Sequence, residues 1–388
     1  MISAPNSLER WWRDVRCAPL FSGRGAMRLS LFYPLSFLYW LALRLRSVFS
    51  ATPRRISVPV ISVGNITTGG TGKTPLVGAL IEIIESFGLR AGVALSGYGR
   101  SGEKEFIATG KELSAHDAAE IGDESRELAA RYANAVFAIS GSKRNSLRLL
   151  EDYSQKTRLG ALIIDDGFQS AAVYRDLDIV LLSARSHRAD YRLLPLGELR
   201  EPLSGLRRAD IIAISHLAQS DEEPPEWLTK LVEEHSRSET PKISIVSDFE
   251  LRQVASVKTV DESDSATKPT PPPSPAGRAL LVSGLARNSW FHESAKAQAV
   301  DIVGILEFAD HQKYDSGSTE LINQKLHELV ADYILTTAKD WAKLEKWAWD
   351  VPVWLLETRM RPETMNELRE RLENILSDRA AVSSSTDQ

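Results

Sequence analysis

The run Gly64-Asn65-Ile66-Thr67-Thr68-Gly69-Gly70-Thr71-Gly72-Lys73-Thr74-Pro75 stands between an apolar stretch, Val58 to Val63, and a segment of helical periodicity, Leu76 to Phe87. Strand, glycine loop and helix in that order leave few folds open. Glycines let backbone N–H groups converge on phosphate oxygens at the positive end of a helix, so the chain must supply a parallel α/β framework behind the loop. Lys73 adds a point charge for β and γ phosphates, and the Thr74 hydroxyl is suited to Mg²⁺. The candidate nucleotide-binding residues are therefore Thr67, Thr68, Gly69, Gly70, Thr71, Gly72, Lys73 and Thr74. The common form of this loop has a glycine where Thr67 stands, so the match rests on Gly72-Lys73-Thr74 and the neighbouring glycines. A purely structural turn would gain nothing from so many glycines.

A second signal lies downstream, where the apolar run Leu162-Ile163-Ile164 ends in Asp165-Asp166-Gly167-Phe168-Gln169. Two carboxylates at a strand end, in the same α/β unit as the loop, are placed to reach a Mg²⁺ shell or to position an acceptor. An Asp-Asp-Gly turn is the alternative.

Short Val/Ile/Leu-rich runs alternate with longer helical patterns from Ser57 onward, which predicts a doubly wound, mostly parallel sheet of the P-loop NTPase-like kind. Its expected strands are Val58 to Val63, Ala91 to Leu95, Val136 to Ile139, Leu159 to Ile164, Leu177 to Leu182 and Ile211 to Ser215. The stretch Asp261 to Gly277 is polar and proline-rich and reads as an exposed linker or insertion. Beyond it, Leu280 to Val282, Val300 to Leu306, Tyr333 to Thr337 and Val353 to Leu356 predict a second, smaller α/β domain. The expected division is a basic, apolar segment over 1–55, a core over 56–255, a linker over 256–277, a small domain over 278–376 and a flexible tail over 377–388.

Charge is uneven along the chain. Residues 1–55 hold nine arginines and two acids, about +7, which leaves about −12 of the total −5 for the rest. Nucleic acid is therefore not an expected partner. Leu29 to Leu43 are fifteen consecutive uncharged residues between Arg28 and Arg44. Spanning a bilayer takes roughly 20 apolar residues. A helix beginning near Pro34 suits the interface better, with Tyr33, Tyr39 and Trp40 at headgroup depth and arginines toward anionic lipid. A buried core helix and a locally extended span are the alternatives. The single cysteine, Cys17, excludes an internal disulfide and fits a reducing compartment.

Taken in order, these motifs resemble one family, the tetraacyldisaccharide 4'-kinases of lipid A biosynthesis. The resemblance covers most of the chain. Besides the loop it includes Ser96-Gly97-Tyr98-Gly99-Arg100, Gly122-Asp123-Glu124, Lys143-Arg144, Asp165-Asp166-Gly167, Leu194 to Pro202 (LPLGELREP), Asp310-His311 and Thr337-Ala338-Lys339-Asp340. It implies transfer of the ATP γ-phosphoryl group to the 4'-hydroxyl of a tetraacylated glucosamine disaccharide 1-phosphate. It further implies Mg²⁺ as cofactor and peripheral, monotopic attachment at the cytoplasmic face of the bacterial inner membrane. ATP, the acylated disaccharide lipid and the membrane surface are the implied partners, with no obligate protein partner.

By the same resemblance Asp123 matches the family's catalytic aspartate and His311 the histidine that pairs with it, so both are candidate catalytic residues with Lys73 and Arg144. The implied metal set is Thr74, Asp165, Asp166 and Glu201. Without the family, Asp123 reads equally well as a helix N-cap before Glu124 to Arg131, and Arg144 as a solvated residue. Two positions depart from the family pattern: Ser96, where arginine is usual, and Gln312, where a second histidine is often found. Competing readings are a P-loop ATPase or GTPase switch and a kinase for a soluble metabolite. The first would normally carry a guanine motif, and Lys339-Asp340 lacks the intervening residue that motif needs.

Overall fold

The computed structural model describes residues 32–48, 53–97, 100, 102, 104–170, 173–217, 222–255, 275–285, 288–310 and 312–386. Tyr98, Gly99, His311 and nearly all of the proline-rich stretch lie outside them.

In chain order the elements are α1 (Tyr33–Val48), β1 (Val60–Asn65), α2 (Lys73–Ser86), β2 (Ala91–Leu95), β3 (Phe106–Thr109), α3 (Gly110–Leu113), α4 (Ala118–Ile121), α5 (Asp123–Arg131), β4 (Val136–Ile139), α6 (Lys143–Ser154), β5 (Ala161–Asp165), β6 (Leu177–Ser183), β7 (Ile211–Leu217), α7 (Glu226–His235) and β8 (Lys242–Ala255). There follow β9 (Arg278–Ser283), α8 (Asn288–Ala297), β10 (Asp301–Glu307), α9 (Ser316–Leu329), β11 (Tyr333–Thr336), α10 (Ala338–Leu344), β12 (Val353–Met360) and α11 (Pro362–Thr386).

The chain forms two compact units. The larger comprises Leu8–Ser247 and Met360–Gln388. Its strands lie in the order β8-β7-β6-β1-β5-β2-β4-β3. Pairing is parallel throughout except at the edge, where β3 runs antiparallel to β4. Every residue of β1, β2, β4, β5 and β6 is buried. Both faces are covered, which is why these strands read as continuous apolar runs instead of alternating ones. One face packs Leu76, Leu80 and Ile84 of α2 against Val63, Ile163 and Ile179; the other packs Leu147 and Leu150 of α6 against Val60, Ala138 and Ile164. Edge strand β3 is only half-buried, so it leaves no long apolar run, and the sequence reading misses it.

The smaller unit, Asp248–Arg359, has strand order β10-β9-β11-β12, with parallel pairing from β10 through β12. Its core joins Leu280, Val282, Ile322, Ile334 and Val353. The boundaries differ from those the composition suggests. The units divide within β8, between Ser247 and Asp248, not at the proline-rich stretch. The C-terminal segment returns to the larger unit. Leu368 and Leu372 of α11 are buried in the α2 face of that unit's core, and the Thr364 hydroxyl donates to the Ser244 carbonyl at 3.2 Å. The helix continues through Thr386, into the stretch expected to be a flexible tail. Composition marks where a chain is polar; it does not show where an amphipathic helix finds its partner.

Candidate active site

The glycine loop leaves β1 at its carboxyl end and runs into α2, the position where open α/β sheets bind ligands. Gly72 is left-handed, at φ 81°, and opens the helix. Pro75 falls in the first turn, where a missing N–H costs nothing. Thr67 needs no glycine because it is buried in an antiparallel bridge with Leu199. Thr68 N–H donates to the Glu198 carbonyl at 2.8 Å and Arg200 N–H to the Ile66 carbonyl at 2.7 Å, so residues 198–200 edge the loop. The far side is tied down by the Asn65 side-chain amide donating to the Thr71 hydroxyl at 3.1 Å and by Ser215 Oγ donating to the Thr71 carbonyl at 2.7 Å. The tip, residues 68–70, is exposed.

Beside β1, parallel β5 pairs Val63 with Asp165, which carries both aspartates to the same end of the sheet. Asp166 lies in the left-handed region at φ 51°. Its carboxylate accepts a bidentate pair from Arg200, Nη1 at 2.7 Å and Nη2 at 2.9 Å. Lys73 Nζ and Lys143 Nζ each stand 3.7 Å from one of its oxygens. Lys143 also donates to the Asp166 carbonyl. Burial would raise the pKa of Asp166, but the Arg200 hydrogen bonds and the two lysines outweigh it and hold the group at about 2. The Lys143 pKa is lowered as well, by burial, against the pull of Asp166 and Asp165. Three cations thus meet one firmly ionised carboxylate, a surplus of positive charge matched to polyphosphate.

Asp165 is the opposite case. It is 6% exposed, and its Oδ1 has no hydrogen-bond partner among the described residues. Burial, then Glu124, push it up to about 7, with Lys73 and Lys143 acting against them. A buried carboxylate oxygen without a donor is what a hard divalent cation would satisfy. Nearby, Gln169 Nε2 donates to the Asn65 carbonyl at 2.7 Å and to Glu201 Oε1 at 2.8 Å, while Gln169 Oε1 is a second buried acceptor without a partner among the described residues. Thr74, in the first turn of α2, adds a hydroxyl. These oxygens fit Mg²⁺.

The arrangement is that of a phosphoryl-transfer enzyme, and comparison with known proteins narrows it. The model of one family, described as Tetraacyldisaccharide-1-P 4'-kinase, matches residues 28–377. The chain belongs to this family. Similar curated relatives are the tetraacyldisaccharide 4'-kinases of Geobacter sulfurreducens, 31% identical over 87% of this chain and 91% of that one, and of Chlorobaculum parvum, 32% identical over 75% and 76%. Among solved structures, an "apo" form of LpxK from Aquifex aeolicus in complex with ATP superposes with a TM-score of 0.65 at 25% identity, covering 90% of this chain and 99% of that one.

Within a tetraacyldisaccharide kinase the expected site residues do not all fall together. The loop residues, Lys73, Thr74, Asp165 and Asp166 do. Glu201, expected in the metal shell, has both oxygens engaged, Oε1 by Gln169 and Oε2 by Arg208 Nη2 at 2.7 Å. Asp166 is likewise committed to Arg200. Of the expected carboxylates, Asp165 is therefore the one with an oxygen open to a metal. Asp123 is the first residue of α5, and the N-cap is Gly122, at φ 92°, so Asp123 does not cap the helix. Its neighbour Glu124 is near enough to Asp165 to raise that group's pKa. Arg144 is exposed on α6, about 100° around the helix from Lys143. His311 lies outside the described residues; before it, Asp310 accepts from Lys339 Nζ at 2.8 Å.

The two departures also have places. Arg100 donates to the Lys104 carbonyl, four residues on from exposed Ser96. The Gln312 amide donates to Ser318 Oγ at 3.1 Å in the first turn of α9. Reasoning from sequence leaves Lys143, Arg200, Gln169 and Glu124 outside the site, although each lies within or beside a motif it singles out. Nothing in a linear motif says which of two adjacent basic residues a helix turns inward.

Proposed function

We propose that the cluster at the carboxyl ends of β1 and β5 is the catalytic centre, and that Asp165, Thr74, Lys73, Lys143 and Arg200 form its charge-stabilising frame. The family reaction is that of this chain: ATP-dependent phosphorylation of the 4'-hydroxyl of the tetraacyldisaccharide 1-phosphate precursor of lipid A. The acceptor oxygen forms a bond to the γ-phosphorus, the bond from that phosphorus to the β–γ bridging oxygen breaks, and ADP leaves. Backbone N–H groups from Gly69 to Gly72 and the Lys73 ammonium hold the phosphates in line. Thr74 and Asp165 would hold Mg²⁺, which would supply neutralising charge to the phosphates. Arg200 holds Asp166 as an internal counter-ion, which keeps the basic cluster assembled before nucleotide arrives. Asp123 accepts the proton of the sugar hydroxyl; this assignment rests on the family resemblance and on its neighbour Glu124 being near enough to act on Asp165. The observation that carries the whole reading is the Asp165 oxygen that has no partner among the described residues, next to a basic, glycine-built phosphate cradle.

Attachment to the cytoplasmic face of the inner membrane is part of the proposal. Helix α1 exposes Leu35, Phe37, Leu38 and Leu45, each at least 50% accessible. So many large apolar groups on one short helix mark an interaction surface, and arginine-rich flanks suit anionic lipid. No helix among the described residues is long and apolar enough to cross a membrane. ATP, Mg²⁺ and lipid are sufficient partners in this reading. With purified full-length chain in detergent micelles, labelled γ-phosphoryl should pass to the lipid only when Mg²⁺ is present. Hydrolysis of ATP without labelled lipid would overturn the assignment of this cluster. The triple replacement of Phe37, Leu38 and Leu41 by serine should lower co-sedimentation with anionic vesicles by about tenfold or more, and unchanged binding would remove α1 as the anchor.

A further inference from the structure

Helix α1 has a second face, and that face is fastened to the catalytic cluster. Ser36, Tyr39, Trp40 and Leu43 follow one another at helical spacing and are the less exposed side of the helix, Ser36 at only 7%. Ser36 Oγ donates to the Leu193 carbonyl at 3.2 Å, and the Tyr39 hydroxyl donates to the Arg200 carbonyl at 2.7 Å. These two bonds grip both ends of one segment. Its ends are also pinned to each other, since Leu194 N–H donates to the Leu199 carbonyl at 3.1 Å. The same segment also carries the glycine loop, through Glu198 and Arg200.

Arg200 is therefore held at three points. Its N–H goes to the loop at Ile66, its guanidinium to Asp166 and Asn65, and its carbonyl to Tyr39. The first two contacts are inside the site. The third is made by the helix that carries the exposed apolar face. A bidentate guanidinium–carboxylate pair tolerates little rotation, and a displacement of about 1 Å in a reacting constellation costs on the order of 100-fold in rate. The carbonyl of Arg200 also begins the peptide unit of Glu201, whose carboxylate orients Gln169. Letting that carbonyl turn loosens both side chains together.

We propose that Tyr39 is a positioning residue for phosphoryl transfer: its hydroxyl fixes the Arg200 backbone, and so couples the seating of α1 to the geometry of Arg200, Asp166 and the loop edge. The inference rests on the site reading given above and adds a role for α1 beyond attachment. The helix is a strut of the active site, and a surface that seats α1 on the larger unit also sets the transfer geometry.

The test is a double-mutant cycle on the full chain in lipid micelles, with Tyr39→Phe and Arg200→Lys. Tyr39→Phe removes one hydroxyl and should lower kcat by about five- to tenfold, the scale of one lost hydrogen bond to a partly buried group. KM for ATP and for lipid, vesicle binding and the unfolding midpoint should stay at wild-type values. In the Arg200→Lys background the same change should cost nothing further, since the bidentate grip it supports is already gone. Should Tyr39→Phe lower the unfolding midpoint, Ser36→Ala, which loosens the other end of the seat, is read in the same cycle with the same non-additivity expected. Wild-type kcat, an equal loss in both backgrounds, or a loss confined to lipid KM would each overturn the proposal. Lys73→Ala run in parallel separates the two levels: activity there defeats the site reading, whereas an inactive Lys73→Ala beside a silent Tyr39→Phe defeats only the strut.

Discussion

Replacing Lys73 with alanine should reduce transfer to lipid by about three orders of magnitude or more while leaving the fold in place. Removing a single preorganised neutral donor from a transition state costs on the order of 100- to 1000-fold, and Lys73 brings a full charge to the end of the phosphate chain where negative charge must be held. The fold should survive because nothing structural depends on the ammonium. Gly72 and Pro75 set the start of α2, and Asp166, 3.7 Å from Lys73, keeps its bidentate pair with Arg200 and its lysine neighbour Lys143. Steady-state transfer beside a thermal unfolding curve checks both halves. A folded Lys73→Ala variant turning over at the wild-type rate would refute the placement of the phosphates.

Asp165→Asn should abolish Mg²⁺-dependent turnover and, with metal chelated, make the protein more stable at pH 8. Burial and Glu124 lift the Asp165 pKa from its ordinary 3.8 to about 7. Below pH 4 the carboxyl is protonated folded or unfolded, so it costs nothing. From about pH 4 to 7 the unfolded chain ionises it freely while the fold resists, and the penalty grows by about 1.4 kcal/mol per pH unit. Above about pH 7 the penalty is complete, of order a few kcal/mol at most once relaxation around the group is allowed for. Asparagine carries no such penalty. The expected result is equal unfolding midpoints near pH 4 and a higher one for the variant at pH 8 in chelator. Saturating MgATP should reverse the order, since only wild type gains the metal bridge. Asp166 contributes in the opposite sense, being held at about 2, with stability present above pH 4 and lost on acidification toward pH 2. It is present in both proteins, and its titration lies below the pH 4 to 8 range over which they are compared. A variant less stable than wild type at pH 8 would mean that Asp165 has a structural partner and is not poised for a cation.

Both predictions depend on a site whose outline is present in linear motifs and whose wiring is not. Gly72-Lys73-Thr74 and Asp165-Asp166 could be located because each motif is local: a loop between a strand and a helix, a pair of acids at a strand end. Arg200 could not be assigned its part. It lies 34 positions from its partner Asp166, and its role arises only when residues 198–200 pair with residues 66–68. Lys143 and Arg144 are adjacent in sequence, and helix rotation alone turns the first to Asp166 and leaves the second in solvent. Glu201 was legible as an acid in the right neighbourhood, yet its oxygens are taken by Gln169 and Arg208, contacts that no spacing announces. The domain limits follow the same pattern: α11 has an amphipathic sequence, and only packing against α2 shows that it belongs to the larger unit.

Sequence by itself determined the elements and their chemistry, because backbone periodicity, glycine conformation and charge type are properties of neighbouring residues. It was enough to establish a doubly wound α/β core, a phosphate loop and an acidic strand end. Tertiary structure alone decided which carboxylate stays open to a metal, which cations gather on the other, and how α1 is tied to Arg200. Those outcomes depend on burial and on hydrogen bonds between residues far apart in the chain, and such bonds exist only once the sheet has brought the carboxyl ends of its strands together.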